Sequence, residues 1–258
     1  MKICFLGTCS GTEPYQNRKH SAFCLECEGY IYWFDAGEGC SYTGHIAGVD
    51  LLAVKNIVIS HTHMDHVGGL GNLLWNIRKL RYVKKEKPYY GDIEVYIPNM
   101  ETWNGIMKIL RNTEGEFCTD YSVIGHRIMD GILFDDGILK VTAYHNTHLQ
   151  KQDLTSWLSF SFLIEYEGKR LVYSGDVGNY HDLDEVIGGG CNCLIIETGH
   201  FSIDDVYDYC KDKQIEKIYF FHNGREILNN LPAAQKRVYD LFGEKAIICE
   251  DGMIVQTS

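Results

Sequence analysis

Long apolar runs are absent from the sequence, and none approaches the roughly 20 residues that a membrane-spanning helix needs. The N-terminal stretch MKICFLGTCSGTEP has one short apolar run, interrupted by Gly7, which is too short for the core of a signal peptide. Proline is scarce at 4 residues, and no low-complexity tract or repeat of solenoid period occurs. These absences argue against a membrane or repeat protein and favour a globular protein of the cytoplasm.

Basic residues are few relative to acidic ones. The chain has 24 Lys and Arg against 35 Asp and Glu, which gives a formal net charge of −11. Such an acidic chain gains little from the phosphate electrostatics that drive nucleic-acid binding. The exception is RKLRYVKKEK at 78–87, with six cations and one anion. This basic stretch is either the solvated end of a helix or a phosphate-facing patch beside a functional site.

Cysteine is abundant, but its spacing does not indicate a structural site. Ten cysteines in a chain without an export signal are expected to be reduced thiols. Cys24 with Cys27, and Cys191 with Cys193, each lack a second pair at the spacing of a zinc finger. The length of 258 residues is enough to bury a core without disulfides or a structural metal.

The order of predicted elements indicates an α/β protein. The first part has the strand-like runs KICFL, SAFCLE, YIYWF and NIVISH, with a hairpin turn at Glu28-Gly29, and then an amphipathic helix from Leu70. The second part has the same kinds of element, namely strand-like runs, a hairpin turn at Glu167-Gly168 and a helix capped by Ser202. No linker separates the two parts. We therefore predict a single domain over 1–258, in which sheets from the two halves stack and helices cover the outside.

The stretch SHTHMDHVGGL at 60–70 carries the strongest chemical signal. His61 and His63 follow a buried strand two positions apart, so both side chains can point toward one ion. Asp65 and His66 lie where the chain turns into a helix and can point toward a second ion nearby. Imidazole and carboxylate ligands suit zinc, and also iron or manganese. The sequence therefore predicts a metal site, which four ligands alone would not complete for two ions.

Further ligands are expected at the C-terminal ends of other apolar strands, because strand ends converge at one edge of a sheet. His148 follows VTAYHNT, Asp176 follows LVYSG, and His222 follows KIYFF. Asp176 is suited to bridge two ions, since each of its carboxylate oxygens can bind one. His145, three positions before His148, is the alternative third histidine.

These motifs resemble the metallo-β-lactamase superfamily, whose signature is H-x-H-x-D-H followed by separated His, Asp and His. The resemblance spans 61–222 and implies the α/β four-layer αβ/βα metallo-β-lactamase sandwich. It also implies a division of the ligands between two ions. His61, His63 and His148 would bind one ion, Asp65, His66 and His222 the other, and Asp176 would bridge them.

Two further stretches resemble the ribonuclease Z-like branch of that superfamily. They are the opening FLGTCSGTEPYQNRKHS with DAGEG at 35–39, and IIETGHFS, in which Glu197 and His200 fall on the branch's Glu and catalytic His. In this sequence Cys9 stands where a glycine is expected. No long Gly/Pro-rich arm, which ribonuclease Z uses to grip transfer RNA, occurs between the helix after His66 and His148.

The resemblance predicts a hydrolase with two divalent ions, zinc above all, with manganese or iron as alternatives. Asp65 would hold the proton of the attacking water, and His200 with Glu197 would serve the leaving oxygen. The preferred substrate is a small phosphodiester or short oligonucleotide. Hydrolysis of a carbonyl ester, thioester, lactone or lactam is one alternative, and transfer-RNA 3′ processing is another. The sequence leaves open a homodimer and predicts no membrane partner.

Overall fold

The computed structural model describes residues 1–85, 91–113, 115–151 and 156–256. Its residues form two compact units. The first unit comprises 1–7, 19–128 and 251–258, and the second comprises 8–18 and 129–250. The chain therefore passes from one unit to the other four times, and the two units differ in the order of their strands.

The described residues form strands, α-helices and short 3₁₀ turns. In chain order, the strands are β1 Lys2–Gly7, β2 Ala22–Cys27, β3 Tyr30–Phe34, β4 Val54–Val58, β5 Ile93–Ile97, β6 Val123–Arg127, β7 Gly131–Asp135, β8 Lys140–His145, β9 Phe160–Tyr166, β10 Lys169–Tyr173, β11 Cys191–Thr198, β12 Ile215–Asn223, β13 Ala246–Ile248 and β14 Ile254–Gln256. The α-helices are α1 Cys40–Ile46, α2 Met64–Val67, α3 Leu70–Lys84, α4 Met100–Thr113, α5 Asp184–Ile187, α6 Ile203–Cys210, α7 Arg225–Leu228 and α8 Leu231–Phe242. The 3₁₀ turns occupy Leu51–Ala53, Gly115–Phe117, Tyr180–Leu183 and Gly243–Lys245.

The first unit is a seven-stranded mixed sheet in the order β14-β1-β2-β3-β4-β5-β6. Its strands are antiparallel from β14 to β3 and parallel from β3 to β6. The predicted helix from Leu70 is confirmed as α3, and its buried side chains include Leu73, Leu74 and Ile77. These residues pack in one apolar cluster with Trp33 of the sheet and with buried residues of α4. Their spacing of three and four residues places them on one helix face.

The second unit is a seven-stranded mixed sheet in the order β13-β12-β11-β10-β9-β8-β7. The strands from β7 to β10 are antiparallel, and those from β10 to β13 are parallel. Its apolar cluster joins Leu194 and Ile196 of β11 with Ile203 and Val206 of α6 and Val238 of α8. The parallel strands β11 and β12 are buried along most of their length, as expected for strands that are covered on both faces.

Both predicted hairpin turns are confirmed, and their backbone explains their composition. The β2–β3 turn has Glu28 and Gly29 at φ 51° and 82°, and the β9–β10 turn has Glu167 and Gly168 at φ 47° and 76°. Two successive residues with positive φ give the turn twist that matches two antiparallel strands. Glycine adopts a positive φ without steric cost, which explains why glycine occupies the second position of each turn. No helix within the described ranges is long and apolar enough to cross a membrane.

Candidate metal centre

The histidine motif of the first unit lies on the segment between β4 and α3. His61 and His66 are fully buried, while His63 is more exposed. The ring centroids of His61 and His63 are 4.6 Å apart, and those of His61 and His66 are 4.1 Å apart. His61 and His63 each offer a ring nitrogen within 4.8 Å of the other, and Asp65 and His66 do the same with a carboxylate oxygen and a ring nitrogen. The two pairs predicted from the sequence therefore form in the structure.

A buried carboxylate, Asp35, orients this motif from the end of β3. It accepts hydrogen bonds from the Ser60 backbone N–H at 2.6 Å, the Ser60 hydroxyl at 2.8 Å and Nδ1 of His66 at 2.7 Å. The last bond fixes the His66 tautomer, so that Nε2 is the nitrogen available to an ion. Nε2 lies 3.4 Å from the Asp65 carboxylate. Sequence reasoning assigned no role to Asp35, although it follows the end of β3 as the predicted ligands follow their own strands.

The turn after the motif requires close backbone approach. Ala36 N–H donates to the His66 carbonyl at 2.6 Å, and Gly69 N–H donates to the Ala36 carbonyl at 2.7 Å. A Cβ at position 69 would lie 2.2 Å from the Gly37 carbonyl oxygen, which is too close for any residue other than glycine. Glycine at position 69 thus has a specific steric reason.

The second unit brings together His148, Asp176 and His222, each beyond or near the end of a strand. His222 Nε2 is 3.3 Å from Oδ2 of Asp176, and His148 Nε2 is 3.8 Å from the same oxygen. Asp176 and His222 are each 2% exposed. A carboxylate surrounded at this distance by imidazoles has the arrangement of a ligand cluster.

His145, the alternative ligand, lies in different surroundings at the end of β8. Its Nδ1 is 2.7 Å from Oδ2 of Asp130, and its backbone N–H donates to Oδ1 of the same carboxylate at 2.6 Å. The ring stacks on Trp157 with centroids 4.0 Å apart. The structure therefore brings His148, and not His145, close to Asp176.

The loop that carries His148 is held by hydrogen bonds to two side chains. The buried Asn146 amide oxygen accepts from the His148 backbone N–H at 3.2 Å. The Asp182 carboxylate accepts from the Thr147 backbone N–H at 2.9 Å and from the Thr147 hydroxyl at 2.8 Å. The chain at Gly178 packs so tightly on this loop that a Cβ there would lie 2.4 Å from Thr147 Oγ1. These contacts join the loop of His148 to the segment that follows Asp176.

Glu197 and His200 form a hydrogen-bonded pair beside these ligands. Oε2 of Glu197 is 2.8 Å from Nδ1 of His200 and also accepts the His200 backbone N–H at 3.2 Å. Oε1 accepts from the Val177 backbone N–H at 2.7 Å. Nδ1 of His200 is 3.9 Å from Asp176, and the ring lies 5.7 Å from that of His222. Glu197 is 1% exposed, whereas the His200 side chain is 46% exposed and can reach a bound molecule.

The hydrogen bond between Glu197 and His200 shifts the pKa of both groups. The hydrogen bond to Glu197 raises the pKa of His200 against the opposing effect of burial. Burial and the nearby Asp176 carboxylate oppose ionisation of Glu197, but the hydrogen bonds from His200 and His222 hold its pKa below the ordinary value. Both shifts favour an ionised Glu197 beside a protonated His200, which is the arrangement that a proton donor needs.

The donor chemistry of both units fits a divalent transition metal. The first unit offers three imidazoles and a carboxylate, and the second offers His148, Asp176, His200 and His222 in overlapping groups with Glu197. Mixed nitrogen and oxygen donors, without thiolate, suit zinc, manganese or iron. The Asp35–His66 bond is the kind of outer partner that orients a ligating histidine.

The strand order and the grouped His and Asp side chains agree with the metallo-β-lactamase type of fold that the sequence predicts. A family model described as "Anti-Pycsar protein Apyc1" matches residues 1–236, and the chain belongs to this family. The predicted α/β metallo-β-lactamase fold class is confirmed by solved structures. Human tRNase Z, short form, aligns with a TM-score of 0.74 at 20% identity and covers 99% of each chain. Zn²⁺-bound PqqB from Methylobacterium extorquens aligns with a TM-score of 0.69 at 14% identity and covers 100% of each chain.

A curated relative is similar in part of its sequence. Ribonuclease Z of Methanothermobacter thermautotrophicus is 30% identical over 150 residues, which are 57% of this chain and 45% of the relative. The matched region thus spans less than half of that relative's length. Among the similar structures, Tm1679 is described as a metal-dependent hydrolase of the β-lactamase superfamily, and PqqB has Zn²⁺ bound.

Proposed function

We propose that the chain is a binuclear metal-dependent phosphodiesterase that hydrolyses a small phosphodiester or a short nucleic acid. The observation that carries the proposal is the Glu197–His200 pair, a proton donor with its own carboxylate partner, next to Asp176. Hydrolysis of a diester with a poor leaving group needs such a donor, whereas an activated ester needs it little. The name of the curated relative, a ribonuclease, points to the same bond type.

We propose one metal centre for the chain. Its composition is that predicted from the sequence: His61, His63 and His148 for one ion, Asp65, His66 and His222 for the other, and Asp176 as the bridge. The interleaved order of the two units along the chain supports a single domain over 1–258 that would carry one such centre. Zinc is the proposed ion, because the donors are nitrogen and oxygen and a similar structure is zinc-bound, with manganese or iron as alternatives.

The mechanism assigns a separate task to each group. Bound ions would supply Lewis acidity, lowering the pKa of water and neutralising charge on phosphoryl oxygens. Asp65 would hold the proton of the attacking water. His200 would donate its Nε2 proton to the leaving oxygen, while Glu197 keeps the opposite face of the ring hydrogen-bonded through Nδ1.

The proposed substrate is small because of the charge of the whole chain. At a formal −11 the chain repels a polyanion at long range, whereas a small diester carries only one or two charges. Two other functions are kept as candidates. The relative's name favours transfer-RNA 3′ processing, and the superfamily resemblance also permits hydrolysis of a carbonyl ester, thioester, lactone or lactam.

A substrate panel tests the proposal directly. Metal-loaded protein would be assayed with bis-p-nitrophenyl phosphate, cyclic nucleotides, a short oligonucleotide, precursor transfer RNA, a thioester and a lactone, with metal analysis of the same sample. We expect turnover of small diesters and about two metal ions per chain. Position-specific cleavage of the precursor transfer RNA as the best activity would favour 3′ processing instead. Turnover of the thioester or lactone without diester activity would favour the carbonyl hydrolase.

A variant of His200 tests the assigned proton donor. His200→Ala should retain its metals and slow alkyl diesters by about 10²–10⁴-fold, while nitrophenyl diesters are slowed far less. His181→Ala is the matched control, because His181 is an exposed histidine that pairs with Asp184. Equal slowing of both substrate types would show that His200 acts elsewhere, for example on the oxyanion.

Location and assembly follow as further proposals. None of the ten cysteines, all of which lie in the described part of the chain, forms a disulfide, which supports a reducing compartment such as the cytoplasm. A homodimer remains an open proposal, which light scattering of the purified chain would test. A single species at the mass of one chain would exclude it.

A further inference from the structure

A cavity in the first unit lies outside the metal centre and collects part of the basic stretch. Its volume is about 350 Å³, and it is lined by cations of α3 and by the segment that follows the 3₁₀ turn Gly115–Phe117. The lining includes the charged side chains of Arg78, Arg81, Lys85 and Asp120 and the aromatic side chain of Tyr121. Glu86 and Lys87 of the basic stretch lie outside the described residues. Three cations against one carboxylate make this a local positive site on an acidic chain.

Both arginines are held in place by other groups. Arg81 forms a two-point bond with Asp120, with Nε at 3.1 Å from Oδ1 and Nη2 at 2.5 Å from Oδ2. Arg78 donates from Nε to the Cys118 carbonyl at 3.1 Å, and its guanidinium lies 5.2 Å from the centroid of the Tyr82 ring. A guanidinium that is already fixed loses less entropy when it binds an anion, and its planar donors match phosphate geometry.

Tyr121, one of the residues that line the cavity, carries a buried hydroxyl. Tyr121 is 8% exposed, and its Oη has no hydrogen-bond partner among the described residues. Burial raises the pKa of Tyr121 to about 12, so the hydroxyl keeps its proton and is a donor at neutral pH. A buried donor without an acceptor is costly in free energy, and an oxygen-bearing ligand that reached this hydroxyl would relieve that cost.

The helix dipole alone does not explain this arrangement. Cations in the last turn of α3, such as Arg81 and Lys84, are favourable beside its terminal carbonyl groups. The dipole does not, however, require Arg78, Arg81 and Lys85 to line one cavity together with Tyr121. The volume lies at the lower end of the range for small-molecule sites, about 300–1,000 Å³, and suits a mononucleotide better than a nucleic-acid strand.

We propose that this cavity binds the phosphate group of a small phosphorylated molecule, such as a nucleoside monophosphate, at a site separate from the metal centre. Arg78, Arg81 and Lys85 neutralise the phosphate, and Tyr121 donates a hydrogen bond to one of its oxygens. The proposal does not depend on the function proposed above, because the cavity contains none of the predicted metal ligands.

Calorimetric titration tests the site with three probes: adenosine 5′-monophosphate, inorganic phosphate and adenosine. We expect the first two to bind and adenosine not to bind. Binding should persist after EDTA treatment and should weaken as salt is raised. Absence of phosphate and nucleotide binding, or its loss on chelation, would overturn the proposal.

Substitutions locate the binding. Arg81→Gln should weaken the binding of adenosine 5′-monophosphate by about tenfold or more, and Tyr121→Phe, which removes only Oη, by about threefold to tenfold. Lys79→Gln is the matched control, since Lys79 lies on α3 against Trp75 and does not line the cavity. Diester turnover should be unchanged in all three variants. Equal affinity in the Tyr121 variant and the wild type, or equal weakening by Lys79→Gln, would refute the assignment.

Discussion

At the scale of single residues, the site depends on side chains and glycines that hold the predicted ligands rather than on the ligands alone. Asp182 and Gly178 are examples in the second unit. Asp182 accepts two hydrogen bonds from Thr147, the neighbour of His148, while the chain at Gly178 packs against Thr147. The position of His148 relative to Asp176 thus depends on a contact that neither residue makes.

Substitution of Gly178 should therefore disturb metal binding. In Gly178→Ala the new Cβ would meet Thr147 Oγ1 at 2.4 Å and its carbonyl oxygen at 2.7 Å, so the His148 loop must move. We expect at least about tenfold weaker binding of one metal ion, since supporting groups of this kind are typically worth about 10–100-fold. Equilibrium metal titration of the apoprotein measures this directly. Gly189→Ala is the control, because a Cβ at Gly189 meets nothing within 4 Å; equal metal affinity in both variants would contradict the expectation.

The two candidate histidines near β8 give a second prediction at this scale. His148→Ala should lose one metal ion per chain, because its Nε2 lies 3.8 Å from Asp176. His145→Ala should keep its full metal content, because His145 is bonded to Asp130 and stacked on Trp157. Metal analysis after gel filtration distinguishes the two. The reverse result would assign the ligand to His145.

At the scale of elements, local sequence signals predicted most strands and helices of both sheets. The N-cap of α6 is one example: Ser202 accepts from the Asp205 backbone N–H at 3.1 Å, and the Asp205 carboxylate accepts from the Ser202 backbone N–H at 2.8 Å. The acidic first turn also suits the positive end of the helix. These signals are short in range, which is why they can be read from the sequence.

Loss of this cap should have a measurable cost. Ser202→Ala removes the acceptor for the Asp205 N–H and should lower the free energy of unfolding by about 1 kcal/mol. Asp208→Ala is the control on the same helix, since it removes only an exposed pair with Lys211 and should change stability by less than about 0.5 kcal/mol. Urea denaturation monitored by circular dichroism compares the two. Indistinguishable midpoints would show that the cap does not stabilise the folded chain.

The elements that the sequence did not reveal lie mainly at sheet edges. β6, β7, β13 and β14 are the terminal strands of the two sheets, and β13 and β14 have three residues each. The side chains of β6 and β7 are half-buried or exposed, so neither strand has the apolar pattern of a covered strand. Their pairing partners, β5 and β8, determine them instead.

At the scale of the whole molecule, burial controls the reactivity of the cysteines. Nine of the ten are buried, and Cys118 is exposed. Burial raises the pKa of Cys40, Cys191 and Cys210 to about 12 and that of Cys193 to about 11. Because the thiolate is the reactive form, these thiols should be inert at neutral pH.

Thiol titration should therefore separate the native from the unfolded chain. We expect a disulfide reagent to modify about one thiol per native chain and all ten in denaturant, and Cys118→Ser to abolish the native reaction. Rapid modification of several thiols in the native chain would show that the units open readily. A thiol whose pKa is raised by burial becomes reactive only when opening of the fold exposes it to solvent.

The sequence by itself determined the residue types of the proposed metal centre and most of the strands next to them. A strand followed by H-x-H-x-D-H is a local pattern, and its geometry follows from the alternation of side chains along extended backbone. Only the tertiary structure decided how the neighbouring groups act. Asp35 reaches His66 across 31 positions, Thr147 reaches Asp182 across 35, and Val177 reaches Glu197 across 20. Such contacts form only when sheet pairing brings distant strand ends together, and the short-range preferences of the chain carry no information about them.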